Sequence, residues 1–174
     1  MNNIIKKTQN NKINPWNGLT RKEGFNLEKD CLILLNSNFK CLCDVKCEHF
    51  PKIISCDPGK YKFIFSNCGY SLEKYERLVK TKKIKPIIIK NMEEQIECII
   101  YNLKKSKIKH LDMHPSGKNV CINNKGIISV IDFDIASIDN NYKSKQIKDG
   151  AERYGKYYIE FKKKLISIIS KIIK

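Results

Sequence analysis

Long apolar runs are missing from this sequence, and so is the apolar core of a secretory signal. No stretch of 18 apolar residues occurs, which is the length that a membrane-spanning helix needs. The first residues, MNNIIKKTQNNK, are polar and basic instead. We therefore expect a soluble intracellular protein of the cytoplasm, with no transmembrane segment. Because that compartment is reducing, the eight Cys indicate thiols or metal ligands before disulfides.

Acidic residues are also scarce relative to basic ones. Eighteen Asp and Glu stand against 34 Lys and Arg, which gives a formal net charge of +16. Such a charge would suit an acidic partner, such as nucleic acid, an anionic membrane or a nucleotide. The charge is nearly all lysine, however, and it is spread along the chain together with abundant Ile and Asn. Lysine in that distribution is typical of a solvated surface, so we expect no specific nucleic-acid partner.

The chain of 174 residues is long enough for one ordinary domain, or for two small lobes that share a cleft. It contains no internal repeat and no long disordered tract. The pattern does not fix an oligomeric state.

The first part of the chain predicts strands around one helix. Ile4-Ile5 indicates a short strand, followed by a turn-rich loop at NPWNG. Apolar residues at near-helical spacing predict a helix from about Gly24 to Leu35. FPKIISCD and KYKFIFSN predict an antiparallel strand pair, joined by a turn at Asp57-Pro58-Gly59 in which the glycine is free to take a positive φ.

Two helices are predicted in the middle of the chain. The step at Cys68-Gly69 breaks the sheet, and a short amphipathic helix begins near Ser71. A stronger helix follows Asn91, which with Glu94 has the spacing of a capping box. Its apolar stripe comprises Ile96, Ile99, Ile100 and Leu103.

A hairpin and a terminal helix complete the pattern. NVCI and GIISVIDFD predict two short strands joined by a turn at residues 123–126. The tail from Tyr157 to Lys174 predicts a basic amphipathic helix whose apolar side faces the core rather than a membrane. That side comprises Leu165, Ile168, Ile169, Ile172 and Ile173.

The segment CLCDVKCEHF places four potential metal ligands close together, namely Cys41, Cys43, Cys47 and His49. Structural zinc sites are usually built from two half-sites, each a C-x2-4-C or H-x3-5-H pair. The spacing here is C-x-C-x3-C-x-H, and the sequence offers no second half elsewhere. We therefore expect thiols in a loop and at a strand edge rather than a metal site.

Most of the polar side chains with catalytic potential lie in HLDMHPSGKNVCINNKGIISVIDFD, residues 110–134. Asp112 lies in a loop after a buried helix, Asn119 precedes the hairpin, and Asp132 ends an apolar strand. Mg²⁺ prefers oxygen ligands such as carboxylates and side-chain amides, with phosphates and water completing its shell. A separate carboxylate can orient a hydroxyl nucleophile and accept its proton.

HLDMHPSGKN followed by Asp132-Phe133-Asp134 resembles the catalytic loop and metal-binding motif of the protein-kinase-like superfamily. Four upstream segments resemble that family in the same order. They are FNLEKDCLILL for the αC helix, EHFPKII for the following loop and strand, FIFSNCGYSL for the hinge, and EEQIECIIYNLKKSKIKH for the helix before the catalytic loop. The resemblance covers about residues 4 to 136 and is closest to compact kinase-like proteins of large DNA viruses, for which the cytoplasm would be the host's.

The resemblance implies an α+β, two-lobed kinase-like fold with a curtailed N-lobe antiparallel sheet and a small, mostly helical C-lobe. Residues 1–68 would form the partial N-lobe, and residues 69–174 the reduced C-lobe. The implied cofactors are ATP and Mg²⁺. The implied reaction moves the γ-phosphoryl group of ATP to a hydroxyl of Ser or Thr in a protein. A small-molecule hydroxyl is the alternative acceptor, which His114 and Asp134 favour.

Roles in catalysis and metal binding follow from the resemblance by position. Asp112 is the implied catalytic base or hydroxyl-orienting acid, and Asn119 and Asp132 are the implied Mg²⁺ ligands. His110 is expected to brace the loop through backbone hydrogen bonds. His114 is expected either to approach the γ-phosphate or to cap the loop.

Roles in nucleotide binding are implied in the same way. Glu28 is the implied partner of a phosphate-contacting lysine. Lys6 in NIIKK is our choice for that lysine, with Lys7 and Lys12 left open. Backbone groups around Ser66 and Cys68 are expected to meet the adenine.

The chain departs from the family pattern at several points. Ser116-Gly117 adds two residues to the loop, Leu111 replaces its arginine, and Asp134 replaces the glycine after Asp-Phe. No Gly-rich loop precedes the candidate lysines, and only forty residues follow Asp134. A catalytically silent pseudokinase, serving as a nucleotide- or protein-binding module, is therefore the alternative to a minimal kinase. A basic nucleic-acid-binding protein is the third hypothesis.

Overall fold

The computed structural model describes residues 13–43, 48–152 and 156–173. Within these ranges the protein is of mixed α+β class, with five helices and three small antiparallel sheets. The helices are α1 (Arg21–Ser37), α2 (Leu72–Lys80), α3 (Met92–Lys105), α4 (Lys145–Glu152) and α5 (Tyr157–Ile172). The strands are β1 (Ile53–Asp57), β2 (Lys62–Phe65), β3 (Tyr70–Ser71), β4 (Ile108–Lys109), β5 (Val120–Ile122), β6 (Ile128–Val130) and β7 (Ser137–Ile138). The strand predicted at Ile4-Ile5 lies outside the described residues.

Strands β1 and β2 form the antiparallel pair that the sequence predicts. The turn between them has its positive φ at Tyr61, at 47°, and not at Gly59, so the glycine is not the residue on which this turn depends. Phe63 of β2 stacks on Phe25 of α1 with 4.2 Å between ring centroids. The two-stranded sheet is thereby packed against the helix that carries Glu28.

The second sheet has the strand order β3-β5-β6, and its β5–β6 hairpin is the one predicted around residues 123–126. Strand β3 joins its edge, with Tyr70 opposite Ile122. This pairing brings the backbone at Gly69 very close to β5. Gly69 has a φ of +92°, and a Cβ atom there would lie 2.1 Å from the carbonyl oxygen of Ile122. A glycine is therefore required where the chain passes from the β1–β2 pair to the second sheet.

The ends of α1 and α3 differ from the prediction. Helix α1 begins before Gly24, because Thr20 and Glu23 form a capping box in which the Thr20 N–H donates to Glu23 Oε2 at 2.8 Å. The capping box predicted at Asn91 is wrong. Asn91 is the N-cap residue of α3, as predicted, but its backbone is left-handed, with φ 50° and ψ 46°, and its side chain donates to Glu94 Oε2 at 3.1 Å instead of accepting from the first turn.

One continuous hydrophobic core joins these elements. It includes four fully buried residues, namely Leu35 of α1, Ile99 of α3, Phe133 after β6 and Leu165 of α5. The prediction that the terminal helix faces the core is thus confirmed. Residues on both sides of position 68 contribute to this core, and the division into lobes at that position stays a prediction. In the part of the chain that the structure describes, no helix has the length and apolarity needed to cross a membrane.

The close approach at Gly69 generates a stability prediction. We expect Gly69→Ala to lower the free energy of unfolding by about 2 kcal/mol or more, since the new methyl group clashes with backbone and the backbone takes a strained positive φ. Urea denaturation followed by circular dichroism measures the loss. Gly59→Ala is the matched control, because a Cβ at Gly59 meets its nearest neighbour, Asp57 Oδ1, at 3.4 Å. Equal stability of the two variants would contradict the prediction.

Candidate active site

His110 lies at the centre of the predicted site and is completely buried. Its Nε2 is 2.7 Å from the carbonyl oxygen of Ile131, and its ring meets the edge of Phe133 with 4.8 Å between centroids. A carbonyl only accepts, so Nε2 carries the hydrogen and donates it. Nδ1 is then the acceptor, and the backbone N–H of Asp112 lies 3.3 Å from it. The His110 ring therefore links the loop that follows β4 to the chain that leaves β6.

The protonation of His110 follows from its burial. Desolvation lowers the pKa of His110 below its ordinary value of 6.5, while its hydrogen bond to Ile131 acts in the opposite direction. The negative charges of Asp132, Asp112 and Asp134 also oppose the lowering, which shows that three carboxylates surround this ring. A neutral imidazole with one donor and one acceptor suits both of its hydrogen bonds.

Asp112 and Asn119 are in direct contact. The amide Nδ2 of Asn119 donates to the backbone carbonyl of Asp112 at 2.6 Å and to its carboxylate Oδ2 at 2.9 Å. Asn119 is 3% exposed, whereas the Asp112 side chain is 28% exposed. The buried Asn119 thus orients the carboxylate of Asp112, while the Asp112 side chain remains accessible from solvent. A general base needs this accessibility.

The two additional residues of the loop form a tight turn. The N–H of Gly117 donates to the carbonyl of His114 at 3.0 Å, and the N–H of Val120 donates to the carbonyl of Gly117 at 3.2 Å. Gly117 has a φ of +74°, and a Cβ there would lie 2.8 Å from Leu72 Cβ. The Ser116-Gly117 insertion is therefore absorbed locally, and it still returns Asn119 to Asp112.

Asp132 follows β6 with a φ of 70°, in the left-handed region that Asp and Asn tolerate better than most residues. The next residue, Phe133, is fully buried, and its backbone N–H points to Glu28 Oε1 at 3.4 Å. Glu28 is 3% exposed on α1. The acid predicted in the first helix is thus brought against the backbone of the Asp132-Phe133 motif, 105 residues away in the chain.

A cavity of about 230 Å³ lies beside this motif. Its lining includes Glu28, Ser66, Cys68 and Asp132, four residues that the sequence analysis assigns to nucleotide or metal binding. Pro51, Phe65 and Ile131 supply apolar walls. Its volume is slightly below the roughly 300–1,000 Å³ of typical small-molecule pockets, so it suits a flat base better than a whole nucleotide.

The hinge residues offer fewer backbone groups than predicted. The N–H of Ser66 already donates to the carbonyl of Lys52 at 2.9 Å, and Ser66 Oγ accepts from the N–H of Lys52 at 2.9 Å. Ser66 therefore cannot offer its N–H to an adenine. Burial raises the pKa of the Cys68 thiol to about 11, so Cys68 presents a neutral, apolar surface to the cavity.

His114 and Lys118 flank Asp112 in different ways. His114 is exposed, and its Nδ1 accepts from the N–H of Ser116 at 3.2 Å, so its contacts are those of a loop cap. Lys118 was not singled out by the sequence, yet its Nζ lies 3.4 Å from Asp112 Oδ2. Its position next to Asn119 was the one available signal, and abundant lysine elsewhere obscured it.

The lysine predicted to meet Glu28 lies outside the described residues. This holds for Lys6, our choice, and for Lys7 and Lys12. Within the described residues, the surroundings of Glu28 include the backbone of Phe133 and the cavity wall.

A larger cavity of about 570 Å³ lies elsewhere, lined partly by Lys104, Lys107, Lys109 and Lys156. None of the predicted site residues lines it. Its lysines would suit an anion, and Asp139 is the one carboxylate among the described residues that line it. We therefore take the smaller cavity, which Glu28 and Asp132 both line, as the candidate active site.

The Cys-rich segment differs from the prediction. The sequence analysis finds no second half for a metal site, but the fold brings Cys98 of α3 to Cys41 and Cys43. His49 joins them, with its Nε2 3.6 Å from Cys43 Sγ. Cys47 lies outside the described residues. No signal in the sequence spacing connects Cys98, more than fifty residues away, with this segment.

Comparison with known proteins adds no assignment. No protein-family model matches the sequence, and a search of the curated proteins finds no significant match.

The buried His110 generates a pH prediction. The pKa of His110 is lower in the folded protein than in the unfolded chain. Below about pH 6.5 the unfolded chain therefore binds a proton that the folded chain does not, and the free energy of unfolding decreases as the pH is lowered. Between pH 6.5 and 5.5 we expect wild type to lose up to about 1 kcal/mol more unfolding free energy than His110→Phe. Urea denaturation at both pH values measures this difference.

The exposed His114 supplies the control for that experiment. His114→Gln should keep the wild-type dependence on pH, although it also removes one imidazole. The same dependence in wild type and His110→Phe would contradict a depressed pKa at His110.

Proposed function

We propose that the protein is a kinase-like phosphotransferase that uses ATP and Mg²⁺ to phosphorylate a hydroxyl group. One observation carries the proposal. Glu28, Ser66, Cys68 and Asp132, chosen from separate segments of the sequence, line a single cavity. That cavity adjoins a loop in which Asn119 holds Asp112, and His110 bonds this loop to the chain next to Asp132.

The oxygen atoms of Asp132 and Asn119 fit the ligand preference of Mg²⁺. Asn119 uses its amide nitrogen to hold Asp112, so its amide oxygen is the atom that a cation would bind. When bound, Mg²⁺ would neutralise phosphate charge and orient the phosphates for transfer. The chain's own residues supply the ligand oxygens, and burial of Asn119 fixes one of them in place.

Asp112 has the contacts of the residue that receives the acceptor proton. Its Oδ2 is held by Asn119 and Lys118, so the carboxylate is oriented before substrate arrives. The acceptor oxygen attacks the γ-phosphorus and gives its proton to Asp112, the bond from the γ-phosphorus to the bridging oxygen breaks, and ADP leaves. Lys118 lies beside Asp112, and in this proposal its positive charge would stabilise the charge that develops on the transferred group.

The acceptor is proposed to be a Ser or Thr hydroxyl of a protein, with a small-molecule hydroxyl as the alternative. A pseudokinase is a second candidate function, and one observation favours it. The N–H of Ser66 is already engaged by Lys52, so one contact expected to orient the base is missing. A nucleotide that is bound but poorly oriented would not transfer its phosphoryl group, and the two experiments below distinguish these functions.

The nucleotide site is tested by a thermal-shift titration with ATP and Mg²⁺. We expect wild type to be stabilised and Asp132→Asn to bind at least about tenfold more weakly, a loss of about 1.4 kcal/mol. Asparagine tolerates the left-handed backbone at this position, so the variant changes charge with little strain. Asp139→Asn, an exposed acid paired with Lys107, is the control and should bind as wild type does. A wild type that ATP does not stabilise would refute the site.

The catalytic step is tested separately with Asp112→Asn. We expect phosphoryl transfer from radiolabelled ATP to fall by about 10²–10⁴-fold, the usual contribution of a general base, with ATP affinity nearly unchanged. A comparable loss of affinity in Asp112→Asn and Asp132→Asn would count against separate roles. ATP binding by wild type without any transfer would favour the pseudokinase.

A further inference from the structure

A second group of reactive side chains lies where the loop after α1 crosses α3. The Sγ atoms of Cys41, Cys43 and Cys98 all lie within 4.8 Å of one another. Cys41 Sγ is 3.8 Å from Cys43 Sγ, and His49 Nε2 is 3.6 Å from Cys43 Sγ. Cys43, Cys98 and His49 are buried, so the group is largely shielded from solvent. None of the four residues lines the candidate active site.

The Cys41–Cys43 and Cys43–His49 spacings match those of a tetrahedral metal site. Zn²⁺ lies about 2.3 Å from sulfur and about 2.0 Å from nitrogen, which separates two sulfur ligands by about 3.8 Å and sulfur from nitrogen by about 3.5 Å. The distances of 3.8 Å and 3.6 Å agree with both values. We propose that Cys41, Cys43, Cys98 and His49 bind one structural Zn²⁺ ion.

The orientation of His49 supports this set of ligands. Its Nδ1 is 2.6 Å from the carbonyl oxygen of Ile128, which only accepts hydrogen bonds. Nδ1 therefore carries the hydrogen, and the lone pair is on Nε2, the nitrogen that faces Cys43. Metal-bound histidines use their second nitrogen in this way, because the hydrogen bond fixes both the tautomer and the ring orientation.

The sulfur of Cys98 is also prepared for a thiolate. The backbone N–H of Leu42 points to it at 3.4 Å. This group is a hydrogen-bond donor, and a donor stabilises an anionic sulfur more than a neutral thiol. Such contacts to ligand atoms commonly accompany metal sites.

The donor set favours zinc over other metals and a structural role over catalysis. Thiolates are soft ligands that exclude Mg²⁺ and Ca²⁺, and four protein ligands complete the tetrahedral shell of Zn²⁺ without leaving a position for substrate. The ion would tie the loop between α1 and β1 to α3. Loop and helix are separated by about fifty residues in the chain, so the site would act as a crosslink in a reducing compartment, where disulfides do not persist.

The test is the metal content of the full chain purified under reducing conditions. Elemental analysis should find one zinc per chain, and mercurial blocking of the thiols should release it to a chromogenic chelator. Replacement by Co²⁺ should give the visible bands of a tetrahedral ion together with sulfur-to-cobalt charge transfer. A strong chelator should lower the thermal midpoint by about 5–10 °C, if the free zinc concentration beforehand is about a hundred times the Kd of the site.

Matched cysteine variants identify the ligands. Cys41→Ser and Cys98→Ser should weaken zinc binding by more than the roughly 10–100-fold that loss of a ligand's supporting hydrogen bond costs. The controls are Cys56→Ser, exposed like Cys41, and Cys121→Ser, buried like Cys98, and both should keep one zinc. His49→Gln should lose zinc in the same way.

The proposal fails if the wild type carries well under one equivalent of zinc and takes up none from solution, a result that does not depend on any variant folding. Copper in place of zinc would overturn the metal assigned. Loss of zinc in Cys47→Ser with retention in His49→Gln would overturn the fourth ligand. Equal loss in the control variants would overturn the whole ligand set.

Discussion

The hydrogen bond from His110 Nε2 to the Ile131 carbonyl is the interaction on which the candidate site depends. It joins two loops that come from different sheets, one after β4 and one after β6. A buried hydrogen bond of this kind contributes only about 1 kcal/mol net, but removal of one partner costs about 1–3 kcal/mol. The free-energy cost of breaking this bond, rather than its net contribution, holds the loop of Asp112 next to the chain segment of Asp132. The edge of Phe133 closes the remaining side of the ring.

The same interaction places a neutral group among charges. The charges of Asp112, Asp132 and Asp134 all act on His110, so three acids lie near this ring in a chain whose net charge is +16. A positive protein attracts polyanions such as nucleotides over distances of several ångströms, while the acids at the site repel phosphate at contact. A cation bridging acids and phosphates resolves this opposition, which is the physical reason for pairing ATP with Mg²⁺ in the proposed function.

Much of the fold could be predicted from the sequence because periodicity reports burial directly. Helix α1, the β1–β2 pair, the hairpin of β5 and β6, and the core-facing side of α5 all follow from spacings of apolar residues. Backbone torsions do not follow in this way. Asn91 has the residue type and spacing of a cap, but its left-handed backbone directs the side chain elsewhere. Gly117 could be read as an insertion, but not as the turn that returns Asn119 to Asp112.

Residues of the candidate site could be selected from the sequence only where one motif carried several of them. Asp112, Asn119 and Asp132 lie in one stretch, and the order of segments then located Glu28, Ser66 and Cys68. Neither kind of signal exists for Lys118, one of 34 basic residues, or for Cys98, whose neighbours in space are distant in the chain. The contacts of Cys98 depend on how α3 packs against a loop. Periodicity predicts the helix, but it does not predict the conformation of the loop.

The loop between α1 and β1 is held by hydrogen bonds at both of its ends. The buried Asn102 binds Lys40 at both ends of its amide, accepting from the Lys40 N–H at 2.8 Å and donating to the Lys40 carbonyl at 2.9 Å. At the other end of the loop, Val130 of β6 donates to the His49 carbonyl at 2.8 Å. The segment between α1 and β1 is therefore docked by ordinary hydrogen bonds, and a metal would tighten a junction that already exists. The same stretch of chain also reaches the candidate active site, because α1 carries the buried Glu28 and Pro51 lines the smaller cavity.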